Sequence, residues 1–214
     1  RTLGSSVKMD EPIRAAWRLT RPLAAVVTKR DFQFWSLDTP EGPIVDFRLP
    51  PESWWQSRPL SQFRLAYTTE CSPSAARDAS VVIVDGKTGE EVASFPLAPK
   101  WGVKGIASSP SGRFLAWTEQ HIYYENPMFR IRVLDTLSLA VVASCEARRL
   151  SRYQRVGRLA FSPDEKTLAF GSSAAKGAAG AFDIHAEQIL WHRVGSPDRS
   201  SCWDIAFQPN GKAF

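Results

Sequence analysis

Four carboxylates pose the first question of chemistry. Asp38, Asp85, Asp135 and Asp183 follow one another at steps of 47, 50 and 48 residues, and each closes an apolar run. Acids that share a proton or a cation must converge within a few ångströms. So regular a spacing places one acid in each structural unit instead. An Asp at the start of a turn suits a side chain that accepts hydrogen bonds from turn amides. Gly86-Lys87-Thr88 matches the end of a phosphate-binding loop, but the glycine that such a loop needs five positions earlier is Val81. His121, His185 and His192 recur at no ligand spacing, and Cys71, Cys145 and Cys202 form no C-x-x-C pair. That pattern argues against a zinc knuckle, a disulfide framework and a histidine base. Neither G-x-S-x-G nor H-E-x-x-H occurs. No catalytic residue, metal ligand or cofactor is expected, and nothing in the sequence argues for an enzyme.

Recognition chemistry is better represented. Trp54, Trp55, Trp101, Tyr123 and Tyr124 stand between apolar runs, as does the basic stretch that holds Arg148, Arg149 and Arg152. Aromatic residues and arginine dominate protein interfaces. The competing reading plugs the tryptophans between packed units and makes the arginines a solvated linker. An acidic partner segment or a phosphate would suit the arginines otherwise. The total charge is only +5, from 27 basic and 22 acidic residues. Most of these charges are interspersed, which disfavours a nucleic-acid surface. No apolar run approaches the roughly 18 residues that span a bilayer. The chain begins at Arg1 without a methionine, so the lack of a signal peptide is uninformative, and the compartment is left unknown with a lean to cytoplasmic.

The elements that must position these residues repeat. Leu159-Ala160-Phe161-Ser162-Pro163-Asp164-Glu165-Lys166-Thr167-Leu168-Ala169-Phe170 reads as two strands joined by a polar turn. The pattern is written again around Pro110 and begins a third time around Pro209, at steps of 53 and 46 residues. Together with the strand-ending Asp it divides the chain into units of four short strands. The first unit is predicted at 13–19, 23–29, 32–38 and 44–49. The second has a poor first strand near 53–56, then 63–69, 80–85 and 91–97. The third is predicted at 103–108, 113–119, 129–135 and 139–145, and the fourth at 156–161, 167–172, 180–184 and 188–194. A fifth contributes 203–207 and the start of its next strand. Sheets apolar on both faces survive by stacking on one another, and radial stacking also protects strand edges. The expectation is an all-β chain, a β-propeller of four-stranded antiparallel blades with an incomplete ring. The blades would occupy about 12–50, 51–98, 99–146 and 154–195, with a fifth starting over 201–214 and a linker over 1–11. A two-sheet sandwich is the alternative.

The hairpins Leu159 to Asp164 and Ile205 to Lys212, with the Val84-Asp85-Gly86-Lys87-Thr88-Gly89 junction, resemble the WD-repeat propeller family. The resemblance is divergent. The residue before each landmark Asp is Leu37, Val84, Leu134 or Phe182, never Trp, and no Gly-His pair opens a unit. It implies a non-catalytic scaffold for a protein or peptide partner. It also implies that the strand-d-to-a and strand-b-to-c connections, which carry the residues named above, emerge on one face. Four units and a fraction do not close a ring, so a fragment of a longer protein is expected. The alternatives are a propeller attached to a peptidase, hydrolase or protein kinase, and a propeller enzyme with a central-channel site.

Overall fold

The computed structural model describes residues 15–18, 23–28, 31–36, 38, 42–49, 56–69, 79–121, 128–148, 156–172, 178–194 and 204–208. The first sheet consists of β1 (Ala15–Arg18), β2 (Leu23–Val27), β3 (Asp31–Ser36) and β4 (Pro43–Arg48). The second holds β5 (Arg58–Pro59), β6 (Arg64–Thr69), β7 (Ser80–Asp85) and β8 (Glu91–Pro96). The third holds β9 (Trp101–Ser108), β10 (Phe114–His121), β11 (Met128–Asp135) and β12 (Ala140–Arg148). The fourth holds β13 (Val156–Phe161), β14 (Thr167–Ser172), β15 (Ala178–Asp183) and β16 (Gln188–Val194). Each is an antiparallel meander in chain order, and none closes on itself. These are the blades of a β-propeller.

Successive side chains on a strand point to opposite faces, so a doubly apolar strand feeds two cores. In β7, Val82 and Val84 pack with Phe32, Phe34 and Val45 of the first blade. Val81 and Ile83 pack instead with Trp101, Leu115 and Trp117 of the third. In β10, Leu115 and Trp117 join that second core, whereas Ala116 joins Phe161, Leu168, Phe170 and Phe182 of the fourth blade. Each fully buried side chain of this size contributes about 1.5–3 kcal/mol. The cores therefore lie between blades, and no blade is complete without a neighbour.

The inner strands come closest at Gly105 in β9. A Cβ there would stand 2.7 Å from the Gly157 carbonyl oxygen of β13. One strand further out, the Thr118 hydroxyl donates to the Val156 carbonyl at 2.6 Å. The first-hairpin turns also latch neighbours, because Ser111 donates to the Glu165 carboxylate through its amide at 2.6 Å and its hydroxyl at 2.9 Å.

Two predicted strands differ. In the second blade the described inner strand is the two-residue β5; of the predicted 53–56 only Gln56 is described, and it lies outside any strand. Pro59 offers no ladder donor, and the chain then turns sharply through Gln62 and Phe63 at φ 60° and 59°. Residues 204–208, expected as part of a fifth inner strand, carry no strand pairing. The partner hairpin strand was predicted to begin within 209–214, outside the described residues.

Candidate functional site

At one end of the third blade β9 starts, β10 ends, β11 starts and β12 ends. Register brings specific residues together there. Trp101 stands opposite His121 across the β9–β10 ladder, and their rings meet edge to face at 5.7 Å. Arg130 stands opposite Glu119 of β10 and Glu146 of β12. One strand face thus carries a rank of acid, base and acid across three strands, the geometry in which opposite charges support a sheet.

Arg130 is the hub of the rank. Its Nη1 donates to Glu119 Oε2 at 3.1 Å, and its Nε donates to Glu146 Oε1 at 2.8 Å. A second guanidinium nitrogen, Nη2, also donates to Glu146. The guanidinium carbon sits 4.9 Å from the Trp101 ring centroid, a cation–π distance. Glu119 is anchored further by Trp117 Nε1, which donates to Oε1 at 2.9 Å, and by Arg132 Nε at 2.7 Å. The Glu119 side chain is 3% exposed, against 19% for Arg130, 34% for Arg132 and 47% for Glu146. A carboxylate buried that far survives only with compensating partners; here the Trp117 indole and the Arg130 guanidinium donate to it, and Arg132 adds a second positive charge. The assembly fixes one arginine and one tryptophan in defined orientations at the end of the blade.

Trp101 is the one predicted aromatic among the described residues, and its position differs from the connection expected for it. It opens β9, is 8% exposed and belongs to the core between the second and third blades. The indole packs against Arg130 and His121, so the strand extends two residues earlier than predicted. Arg148 closes β12 opposite Met128, not within a linker. Trp54, Trp55, Tyr123, Tyr124, Arg149 and Arg152 lie outside the described residues. Arg130, Arg132, Glu119 and Glu146 were missed. The c–d turn gives their approximate neighbourhood but not their pairing. Counting back from Asp135 and its turn would set Arg130 opposite Cys145, and a bulge between Val133 and Leu134 moves its partner to Glu146.

Three of the landmark acids, Asp85, Asp135 and Asp183, serve the turns. Asp85 Oδ1 accepts the amides of Lys87 and Thr88 at 2.7 and 3.2 Å. Asp135 Oδ1 accepts those of Leu137 and Ser138, and Asp183 Oδ1 those of His185 and Ala186. The amides of Gly86-Lys87-Thr88 are thus all engaged, those of Lys87 and Thr88 within the hairpin and that of Gly86 with the Phe63 carbonyl before β6 at 2.9 Å. Burial alone would raise the Asp135 pKa. The amides of Leu137 and Ser138 and the Arg113 guanidinium overcome that and hold it below the ordinary 3.8. The Cys145 thiol is pushed above its ordinary 9.0, by burial first and then by Glu146 and Glu187. Among the described residues no group of three or more His, Cys, Asp or Glu side chains could hold a metal ion. No helix among them is long and apolar enough to cross a membrane.

No family model and no curated protein matches the chain. Solved structures do. Hydrazine synthase of Kuenenia stuttgartiensis aligns over 89% of this chain with a TM-score of 0.62 and 10% identity. Hsv2 of Kluyvelomyces marxianus aligns over 95% with a TM-score of 0.62 and 19% identity. KlAtg21, in its complex with the coiled coil of AgAtg16, aligns over 89% with a TM-score of 0.63 and 16% identity. The chain spans 64%, 63% and 58% of the lengths of those three. At such identities the likeness concerns architecture, and the architecture is a set of four-stranded β-propeller blades like those of the WD-repeat propellers Hsv2 and Atg21.

Proposed function

We propose that this chain is a non-catalytic interaction platform within a larger protein. Its partner is a protein or peptide, bound at the end of the blades that carries the d-to-a and b-to-c connections. The supporting observation is the Trp101–Arg130–Glu119–Glu146 rank. It sets a rigid charged and aromatic shelf at the foot of segments 122–127 and 149–155, which hold Tyr123, Tyr124, Arg149 and Arg152. Rigid positioning lowers the ordering cost of binding. Arg148, Arg149 and Arg152 suit an acidic partner segment, through charge-assisted and bidentate contacts. A protein of like architecture, KlAtg21, has been solved with a coiled-coil partner.

Alanine variants of Trp54, Trp55, Arg148 and Arg152 in the intact protein test this reading. Each should weaken partner capture while leaving the far-ultraviolet circular dichroism unchanged. Substituting Leu190, an exposed residue of the outer strand β16, should leave capture intact. Loss of the fold in the first set would make those residues core and end the interface claim. Equal loss of capture in the Leu190 variant would move the interface to another face.

A further inference from the structure

In the third blade β9 opens beside the Arg130 shelf and closes, at its other end, on a second feature. There the inner strands run into their first-hairpin turns and enclose an open cavity of about 390 Å³. Its walls come from β5, from 107–110 at the end of β9 and from 159–161 of β13. Residues 205–207 supply the remaining side. We propose that this cavity binds a neutral, compact solute with an apolar ring body and a polar edge, recognised by the Ser108 hydroxyl and the peptide groups of the inner strands.

The walls select against charge. Arg58 is the one charged residue among the described lining residues, and the protein itself engages it. Its Nη1 donates to the Ser57 carbonyl at 2.7 Å, and it has a further interaction. Asp204 stands beside the same wall, where its carboxylate accepts the Ile205 amide at 2.9 Å. One cation and one neighbouring acid leave no net charge to attract an ion, and stripping water from an unpaired ion is costly. Nine of the twelve lining residues are apolar, among them Pro59, Pro110, Leu159, Phe161 and Phe207. The body of a solute therefore gains by leaving water for this site.

The polar groups on offer are neutral. Ser109 spends its own, since its amide donates to the Phe114 carbonyl, its carbonyl accepts the Gly112 amide and its hydroxyl accepts the Phe114 amide. Ser108 is half-buried on the same wall, and its hydroxyl makes no hydrogen bond among the described residues. β5, β9 and β13 are each the last strand of their sheets. One edge of each therefore presents peptide N–H and C=O groups that no ladder uses. Such groups read hydroxyl, carbonyl or ring-nitrogen substituents. The volume lies within the roughly 300–1,000 Å³ of small-molecule sites, which excludes a folded partner.

Equilibrium dialysis of the intact protein at neutral pH against 2-naphthol, 2-naphthoate and 2-naphthylmethylammonium tests the proposal, with one ring system in three charge states. Saturable binding of 2-naphthol is expected, about tenfold tighter than that of either ion. Ser108→Ala should weaken 2-naphthol about fivefold and leave naphthalene, which lacks the hydroxyl, unaffected. Ala160→Leu, a change at a half-buried wall position, should fill the cavity and abolish binding. Far-ultraviolet circular dichroism checks each variant, and should Ala160→Leu fail to fold, Ser108→Ala decides alone. Absence of saturable 2-naphthol binding overturns the proposal. Equal binding of either ion does so too, as does unaltered 2-naphthol affinity in a folded variant. The site shares no residue with the interaction surface. Failure here therefore leaves the platform reading standing, and the reverse holds as well.

Discussion

Replacing Glu119 by glutamine keeps the side-chain volume and removes the one buried charge of the blade-end rank. Two donors converge on that carboxylate, Trp117 Nε1 at 2.9 Å and Arg130 Nη1 at 3.1 Å, and the Arg132 guanidinium stands beside it as an ion-pair partner with Nε 2.7 Å away. Removing one member of a buried ion pair costs about 3–5 kcal/mol, an upper bound that two features reduce. Arg130 keeps Glu146 as a partner, and the Arg132 side chain is 34% exposed, so water screens much of what it loses. The glutamine carbonyl still accepts from Trp117. One charge-assisted hydrogen bond is then lost outright, worth about 1.5–3 kcal/mol, and the expected destabilisation is about 2–3 kcal/mol. Urea unfolding followed by tryptophan fluorescence measures it. A double-mutant cycle with Arg130→Gln isolates the pair, and its coupling should be about 1–2 kcal/mol. Near-ultraviolet circular dichroism should change as well, because Trp101 and Trp117 both depend on the rank for orientation. A Glu119→Gln variant within about 0.5 kcal/mol of the parent, with no coupling to Arg130, would refute the claim that this carboxylate organises the shelf.

Further outcomes follow from other contacts. Gly105→Ala drives a methyl group into the Gly157 backbone at 2.7 Å and should lower stability by about 1–3 kcal/mol. Gly157→Ala, whose nearest contact is 3.1 Å, should cost less, with thermal unfolding of the two as the comparison. Asp135 is held below 3.8, so its contribution is complete above that pH and is lost as pH falls through the depressed value. Asp135→Asn should therefore flatten part of the acid limb of a stability profile. Cys145 should alkylate with a midpoint above pH 9, read by peptide mapping of iodoacetamide labelling. Glu165 sits at φ 59°. Replacing it by glycine or by alanine removes the latch to Ser111 in both cases, but only glycine relieves the backbone, so the glycine variant should be the more stable by about 1 kcal/mol.

Much of the fold was legible because the turns carry their own chemistry. A Ser-Pro pair followed by a polar turn announces a hairpin. In the structure the Ser109 and Ser162 hydroxyls accept the amides of Phe114 and Thr167, each five residues on. The strand-ending acids likewise bind the amides just after them. Such local rules need no knowledge of the neighbouring blade. β5 was illegible for the opposite reason. Arg58-Pro59 has no strand pattern, and the segment is held by partners distant in sequence, with Gly112 approaching so closely that a Cβ would meet the Ser61 amide at 2.5 Å. The candidate site was half legible. Residue type flagged Trp101, but its contacts with Arg130 and His121 depend on two ladder registers that the sequence leaves open across segment 122–127.

The left-handed turn positions show how near-identical blades become one specific assembly. The fourth residue after the landmark Asp is Gly89 at φ 75°, Leu139 at 57° and Glu187 at 52°. The second residue after the hairpin proline is Gly112 at 72° in one copy and Glu165 at 59° in the next. Where glycine occupies the position, the turn costs little and its missing side chain contributes no contact. Where glycine is replaced, strain of about 1–2 kcal/mol enters, and each replacement reaches a neighbouring element. Glu165 binds Ser111 of the preceding blade. Glu187 accepts the Ser144 amide of β12 at 3.0 Å. Leu139 packs against the core shared with the second blade. Local strain is thus exchanged for contacts between blades, and those contacts differ from one junction to the next. Apolar faces alone would let any blade stack on any other. These turn side chains fix which pair meets and in what register, and that order sets the Arg130 shelf at one end of the third blade.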